Sequence, residues 1–231
     1  SKKLYTSKDI KKPAFWDILG EYGYRCIIAN VPMTYPPRRI NGILITGMLT
    51  PPGGSFAYPA EIEEMLRSEG YIVSPSKELI KSLALGDMYI DRLIKIEQKR
   101  TDTIIKLAKN GDFELGCLVY QATDIIQHTL WNKKDKVYRV YIELDKEINK
   151  LINALNPENI IIISDHGFGD YRKQMNLNQF LFVRGWLKRK KGEADLSIIK
   201  ESGRTESKLY SLISTFRNFT AALGITQETV L

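Results

Sequence analysis

Continuous apolar runs that alternate with amphipathic segments constrain the fold of this chain most. The runs with the length and composition of buried strands are residues 24–31, 41–49, 113–121 and 160–164. Buried strands separated by helices are typical of a parallel sheet that is covered on both faces. We therefore predict an α/β fold with a mostly parallel central sheet and helices on both faces.

Helices are predicted from apolar residues that recur every three or four positions and from proline and glycine at the segment ends. The predicted helical segments are residues 13–23, 59–70, 77–110, 136–155 and 175–188. The core is expected to span residues 1–190, followed by a polar, partly helical tail at 191–231. Residues 75–110 are either a helical cap or insertion over the site, or an ordinary covering helix.

Composition indicates the class of ligand only weakly. The 34 basic and 27 acidic residues leave a formal net charge of +7. This charge mildly favours anionic ligands such as phosphates, although a solvated basic surface would have the same balance. No basic stripe interleaved with aromatic residues indicates nucleic-acid binding. No apolar run is long enough to cross a membrane.

The two cysteines and the first residues of the chain bear on its location. Cys26 and Cys117 both lie in apolar, strand-like runs. They are expected to be buried thiols of a protein in a reducing compartment, which predicts a cytoplasmic location. The first residues also show no signal-peptide pattern.

The only two histidines of the chain each follow a predicted strand and each have an aspartate nearby. Asp165 and His166 come directly after 160–164, and Asp124 and His128 follow 113–121 at a spacing of four residues. If a helix begins there, Asp124 and His128 share one face of it. Ligands of parallel sheets bind at the carboxyl ends of the strands. Either pair alone is more often a solvated surface feature, but together they predict a metal site.

The ligand types narrow the choice of metal. Carboxylate and imidazole ligands without a thiolate suit zinc, manganese or a similar divalent ion. Two such ions about 4 Å apart form a clamp that is used on phosphoryl groups. Each pair supplies only two ligands, however, and catalytic zinc usually has three protein ligands.

The motifs "TDIIQH" (123–128) and "SDHGF" (164–168) resemble the metal-binding motifs of the alkaline phosphatase superfamily. The closer resemblance is to its type I phosphodiesterase/nucleotide pyrophosphatase branch, and within it to archaeal and bacterial proteins regarded as phosphohydrolases or phosphomutases. Residues 29–51, 58–66 and 175–188 resemble that group as well. The ordered set covers about residues 10–188 and is more specific than any one motif.

This resemblance implies an alkaline-phosphatase-like core and a two-metal hydrolase that acts on small phosphate esters or nucleotides. One ion would be held by Asp124, His128 and a third histidine further along the chain. The other would be held by Asp165, His166, and an aspartate and a threonine or serine nucleophile near the N-terminus. The nucleophile would attack phosphorus, and water would then hydrolyse the covalent phospho-enzyme.

The sequence departs from this pattern at both ends. It has no third histidine, and the strand that should carry the N-terminal aspartate and the nucleophile does not appear. Thr34 lies in a proline-rich loop where the family has no nucleophile, so it is not a candidate. We expect this chain to be the middle part of a longer enzyme and not to turn over alone by the family mechanism.

Two alternatives remain open at the level of sequence. A phosphomutase resembling cofactor-independent phosphoglycerate mutase would return the phosphoryl group to its substrate rather than to water, and analysis of the products distinguishes it from a hydrolase. A non-catalytic remnant would bind metal weakly or not at all. The oligomeric state is not indicated by any pattern in the chain.

Overall fold

The structure is a computed structural model that describes residues 5–170 and 175–188. It divides the chain into two compact units, Ser1–Gly169 and Asp170–Leu231. We describe each unit by itself. The expected boundary at residue 190 and the expected tail at 191–231 lie outside the described residues.

The first unit contains a four-stranded sheet in the order β3-β2-β1-β4. The strands are β1 (Cys26–Val31), β2 (Gly42–Thr46), β3 (Ala57–Tyr58) and β4 (Leu115–Leu118). Strand β1 pairs in parallel with both β2 and β4, while β3 pairs antiparallel with β2. The prediction of a mostly parallel sheet is confirmed. Three of the predicted strands correspond to β1, β2 and β4, and only the short β3 was not predicted.

The first unit has helices α1 (Phe15–Glu21), α2 (Ala60–Ser68), α3 (Lys77–Ser82), α4 (Asp87–Lys109), α5 (Ala122–Leu130) and α6 (Lys134–Leu155). The described part of the second unit contains α7 (Leu177–Val183). The segment predicted as one helix over 77–110 is divided by a short 3-10 turn and Gly86. Glycine is about 1 kcal/mol less favourable than alanine inside a helix, so it weakens the helix at the point where the division occurs.

Alternate residues of β1 pack on opposite faces of the sheet, as the period of a strand requires. On one face, Ile27 packs in a buried cluster with Leu66 of α2 and Ile104 of α4. On the other face, Ile28 packs with Trp16 of α1. Helices therefore cover both faces of the sheet, as the mostly apolar composition of β1 predicted.

A third buried cluster holds α5 in place. Ile126 of α5 packs with Leu93 of α4 and Val140 of α6. All three side chains have essentially no exposed surface. The apolar side of α5 is therefore fixed by two long helices. None of the helices in the described part of the chain has the length and apolarity needed to span a bilayer.

The prediction of a central strand at 160–164 is wrong. These residues form no strand, and the side chains of Ile160–Ile163 are 50%, 84%, 70% and 86% exposed. An apolar run shows a preference for burial, but a strand also needs a partner edge for its backbone hydrogen bonds. Within the described residues β4 pairs only with β1, and 160–164 does not join its other edge.

Candidate metal centre

Helix α5 begins shortly after β4 and carries the first aspartate–histidine pair. Asp124 lies in the first turn of α5, and His128 lies one turn later. The distance between Asp124 Oδ1 and His128 Nε2 is 3.3 Å. From the sequence, Asp124 and His128 were expected to share one face if a helix begins at this point. Helix α5 does begin here, and the two side chains do share one face.

The second pair lies against the first. His166 Nε2 is 3.8 Å from Asp124 Oδ1 and 3.7 Å from Asp165 Oδ2. Although 160–164 is not a strand, the motif that follows it reaches α5. Asp124 is therefore the residue at which both predicted pairs meet.

Local hydrogen bonds orient His166. Its Nδ1 lies 2.9 Å from the carbonyl oxygen of Gly167. A carbonyl can only accept, so Nδ1 carries the proton and the neutral ring keeps its lone pair on Nε2, the atom that faces Asp124. The Gly167 carbonyl raises the pKa of His166, and the charges of Asp165 and Asp124 raise it further. The Ser164 hydroxyl donates to the His166 carbonyl at 2.6 Å.

Phe168 connects the second motif to α5 through aromatic contacts. Its ring centroid lies 4.8 Å from that of His128, edge to face, and 5.0 Å from that of Trp131. Lys134 Nζ lies 2.9 Å from the centroid of the Trp131 ring. Sequence reasoning gave Phe168 no role, although it is the last residue of "SDHGF" and the motif could have drawn attention to it.

The types and spacing of these donors suit a divalent cation. Two ligands of a tetrahedral ion, each about 2.0–2.1 Å from it, lie about 3.4 Å apart. The separation of Asp124 Oδ1 and His128 Nε2, 3.3 Å, matches that value. The side chains are open to solvent, with exposed fractions of 48% for Asp124, 65% for His128 and 55% for His166.

The number of donors around one point is smaller than a complete site requires. Within residues 5–170 and 175–188, no group of three or more histidine, cysteine, aspartate or glutamate side chains is arranged to hold a metal ion. The donors fit a metal in chemistry and in the spacing of one pair, and they do not complete a coordination shell.

A buried ion pair lies directly behind α5. Glu97 and Arg100 of α4 have no exposed side-chain surface, and their Oε2 and Nη1 atoms are 2.7 Å apart. Burial raises the pKa of Glu97. The charge of Arg100 and two backbone N–H donors act in the opposite direction and lower it, but burial outweighs them. Sequence reasoning missed this pair, although charged residues three positions apart within an apolar helical pattern were the available signal.

Comparison with known proteins assigns this chain to a family. The family model described as type I phosphodiesterase / nucleotide pyrophosphatase matches residues 2–211. Neither a curated protein nor a solved structure matches the chain. The family model covers most of the chain, including both aspartate–histidine motifs. The chain therefore belongs to the type I phosphodiesterase/nucleotide pyrophosphatase family of the alkaline phosphatase superfamily, a family of hydrolases that act on small phosphate-ester or nucleotide substrates.

Proposed function

We propose that this protein is a metal-dependent phosphohydrolase of the phosphodiesterase/nucleotide pyrophosphatase type. The observation that carries the proposal is the convergence of His128 and His166 on one carboxylate oxygen of Asp124. Membership of a hydrolase family supports the phosphoesterase chemistry. The metal dependence rests on the type and spacing of the donors.

The proposed ligands form two pairs. Asp124 and His128 would hold one divalent ion, zinc or manganese, and Asp165 and His166 would hold a second. The hydrogen bond that His166 Nδ1 donates to the Gly167 carbonyl keeps Nε2 directed toward Asp124. Bound ions would stabilise negative charge on the attacking and leaving oxygens of a phosphoryl group.

The remaining elements of the proposal concern the substrate, the nucleophile and the compartment. We propose a small phosphate ester or a nucleotide as substrate, which a net charge of +7 favours. The covalent phospho-enzyme implied by the family has no nucleophile assigned in this chain. Two free thiols, Cys26 and Cys117, support the proposal of a reducing, cytoplasmic compartment.

The test is hydrolysis of bis(p-nitrophenyl) phosphate by the protein as the cell produces it. The protein is stripped with a chelator and then supplied with Zn²⁺ or Mn²⁺. Hydrolysis should require the added metal, and Asp124→Asn should lower kcat/KM on the order of 100-fold or more. Mutating even the residues that hydrogen-bond to metal ligands typically lowers metal affinity or activity by about 10–100-fold, and Asp124 is a proposed ligand itself.

Asp145→Asn is the matched control, since it removes the same charge from an exposed position of α6. It should leave the rate unchanged. Hydrolysis that persists without metal, or that survives Asp124→Asn at the rate of the control, would refute the proposed function.

A further inference from the structure

We propose that Glu97 is a positioning residue that sets the N-terminus of α5 and, through it, the positions of Asp124 and His128. The consequence for the metal rests on the function proposed above. The placement of α5 rests on hydrogen bonds within this chain.

The first step is the contact between Glu97 and the start of α5. Glu97 Oε1 accepts hydrogen bonds from the backbone N–H groups of Gln121 and Ala122, at 3.0 and 2.8 Å. The first N–H groups of a helix have no partner within the helix, and a buried N–H needs one. The N-cap residue, Gln121, has no side-chain cap bond. In the described part of the chain, the carboxylate of Glu97 takes the place of a cap.

The second step is the anchoring of Glu97 itself. Its other oxygen, Oε2, accepts from Arg100 Nη1 at 2.7 Å, and Arg100 Nη2 donates to the carbonyl of Val73 at 2.6 Å. The same carbonyl accepts from Asn30 Nδ2 at 3.2 Å. Asn30 lies within β1, so a continuous hydrogen-bonded path runs from β1 to the start of α5.

The third step is the distance from this cap to the ligands. Helix α5 has nine residues. Its first residue, Ala122, is held by Glu97, and Asp124 follows within the same turn. The side chain of Asp124 is half exposed and projects from a backbone that is fixed from behind. A shift of the first turn would therefore change the separation between Asp124 and His166, which belong to different segments.

A purely stabilising role explains this arrangement poorly. Removing two charges from water has a high cost, and replacing a buried ion pair by apolar residues of similar volume is often neutral or stabilising. A carboxylate aligned with the first N–H groups of a helix has a directional effect that an apolar side chain cannot have. A helix that presents metal ligands needs its axis and its first turn to be held in one direction.

The experiment measures the stability of the start of α5 and the binding of metal separately, in the complete protein. Glu97→Gln keeps the size of the side chain and removes its charge. The double variant Glu97→Gln/Arg100→Met removes both buried charges, so no unpaired charge is left to prevent folding. Leu66→Ala is the control, because Leu66 is fully buried but lies in a different cluster from α5.

Two readouts are taken well below the melting temperature of each variant: amide hydrogen exchange in 121–126, and the dissociation constant for Zn²⁺ by calorimetric titration. In at least one folded Glu97 variant we expect exchange at Gln121 and Ala122 to be about 10-fold faster. We expect Zn²⁺ binding to weaken by about 10–100-fold, the size of effect found for residues that orient metal ligands. Leu66→Ala should leave the Zn²⁺ affinity unchanged. It should not speed exchange in 121–126 more than exchange in the rest of the molecule.

Unchanged exchange in α5, or faster exchange with unchanged Zn²⁺ affinity, would overturn the positioning role. If the unmodified protein binds no Zn²⁺, the proposed function fails and the positioning of metal ligands fails with it. If the unmodified protein binds Zn²⁺ and the Glu97 variants bind it equally well, only the positioning role fails.

Discussion

At the scale of single residues, Glu63 shows how one carboxylate can join two elements. Its Oε2 accepts from the Ser55 hydroxyl at 2.6 Å and from the N–H groups of Phe56 and Ala57 at 2.9 and 3.2 Å. Its Oε1 accepts from Arg67. Burial alone would raise the pKa of Glu63, but these hydrogen bonds outweigh burial and lower it from 4.5 to about 2.

This lowered pKa predicts the effect of pH on stability. A carboxyl group with a lower pKa in the folded state contributes stability above its unfolded pKa, and this contribution is lost as pH falls through its folded pKa. Glu63→Gln should lower the free energy of unfolding by about 1–2 kcal/mol at pH 7. The difference from the unmodified protein should shrink as pH falls from about 4.5 toward 2.

Urea unfolding at pH 7, 4 and 3 measures this difference. Glu64→Gln is the matched control, because it removes the same charge from an exposed position of the same helix. A loss of stability in Glu63→Gln that is equal at all three pH values would contradict the assignment, as would an equal loss in the control.

Sequence patterns pointed to the proposed metal ligands but not to the residues that contact or support them. Asp124, His128, Asp165 and His166 could be proposed because histidine is rare in this chain and both histidines follow apolar runs. Glu97 and Phe168 could not be proposed in the same way. Their roles depend on which backbone groups and rings lie next to them, and these neighbours are distant in sequence.

At the scale of elements, the pairing of β1 with β2 depends on a glycine at the start of β2. Gly42 has a φ of +134°, and a Cβ at this position would lie 2.0 Å from the Cys26 carbonyl oxygen. Gly42→Ala should therefore lower the free energy of unfolding by about 3 kcal/mol or more, through backbone strain and overpacking.

Gly116→Ala in β4 is the control for this prediction. Gly116 also pairs with β1, opposite Ile27, but a Cβ there would meet no atom within 4 Å. Its replacement should be neutral or slightly stabilising, because alanine loses less backbone freedom on folding. Thermal and urea unfolding of both variants measure the effect, and equal losses of stability would contradict the account.

Elements were predictable where the local pattern and the environment agree. Strand β1 is apolar except at Asn30 and lies between two paired strands, so its sequence and its position predict the same structure. The run at 160–163 is equally apolar but pairs with no strand within the described residues. The sequence pattern was the same in both cases, and the difference lies in the neighbouring strands, which a local pattern does not contain.

At the scale of the whole molecule, the described fold supports the site through a few connected contacts. The sheet places β1 and β4 side by side, and α4 spans the distance from the sheet to α5. Helix α5 presents Asp124 and His128, and the motif with His166 and Phe168 lies against it. The family relationship shows membership of a phosphodiesterase/nucleotide pyrophosphatase family, and the meeting of the two motifs is the place where we propose that the chemistry occurs.

The measurement that tests the central claim most directly is the location of bound metal in crystals of the protein soaked in Zn²⁺. An anomalous difference map at the zinc edge should show a peak about 2.0–2.2 Å from both Asp124 and His128. A second peak, about 4 Å from the first, should lie at Asp165 and His166. No peak at either pair, or zinc bound only to other side chains, would contradict the account.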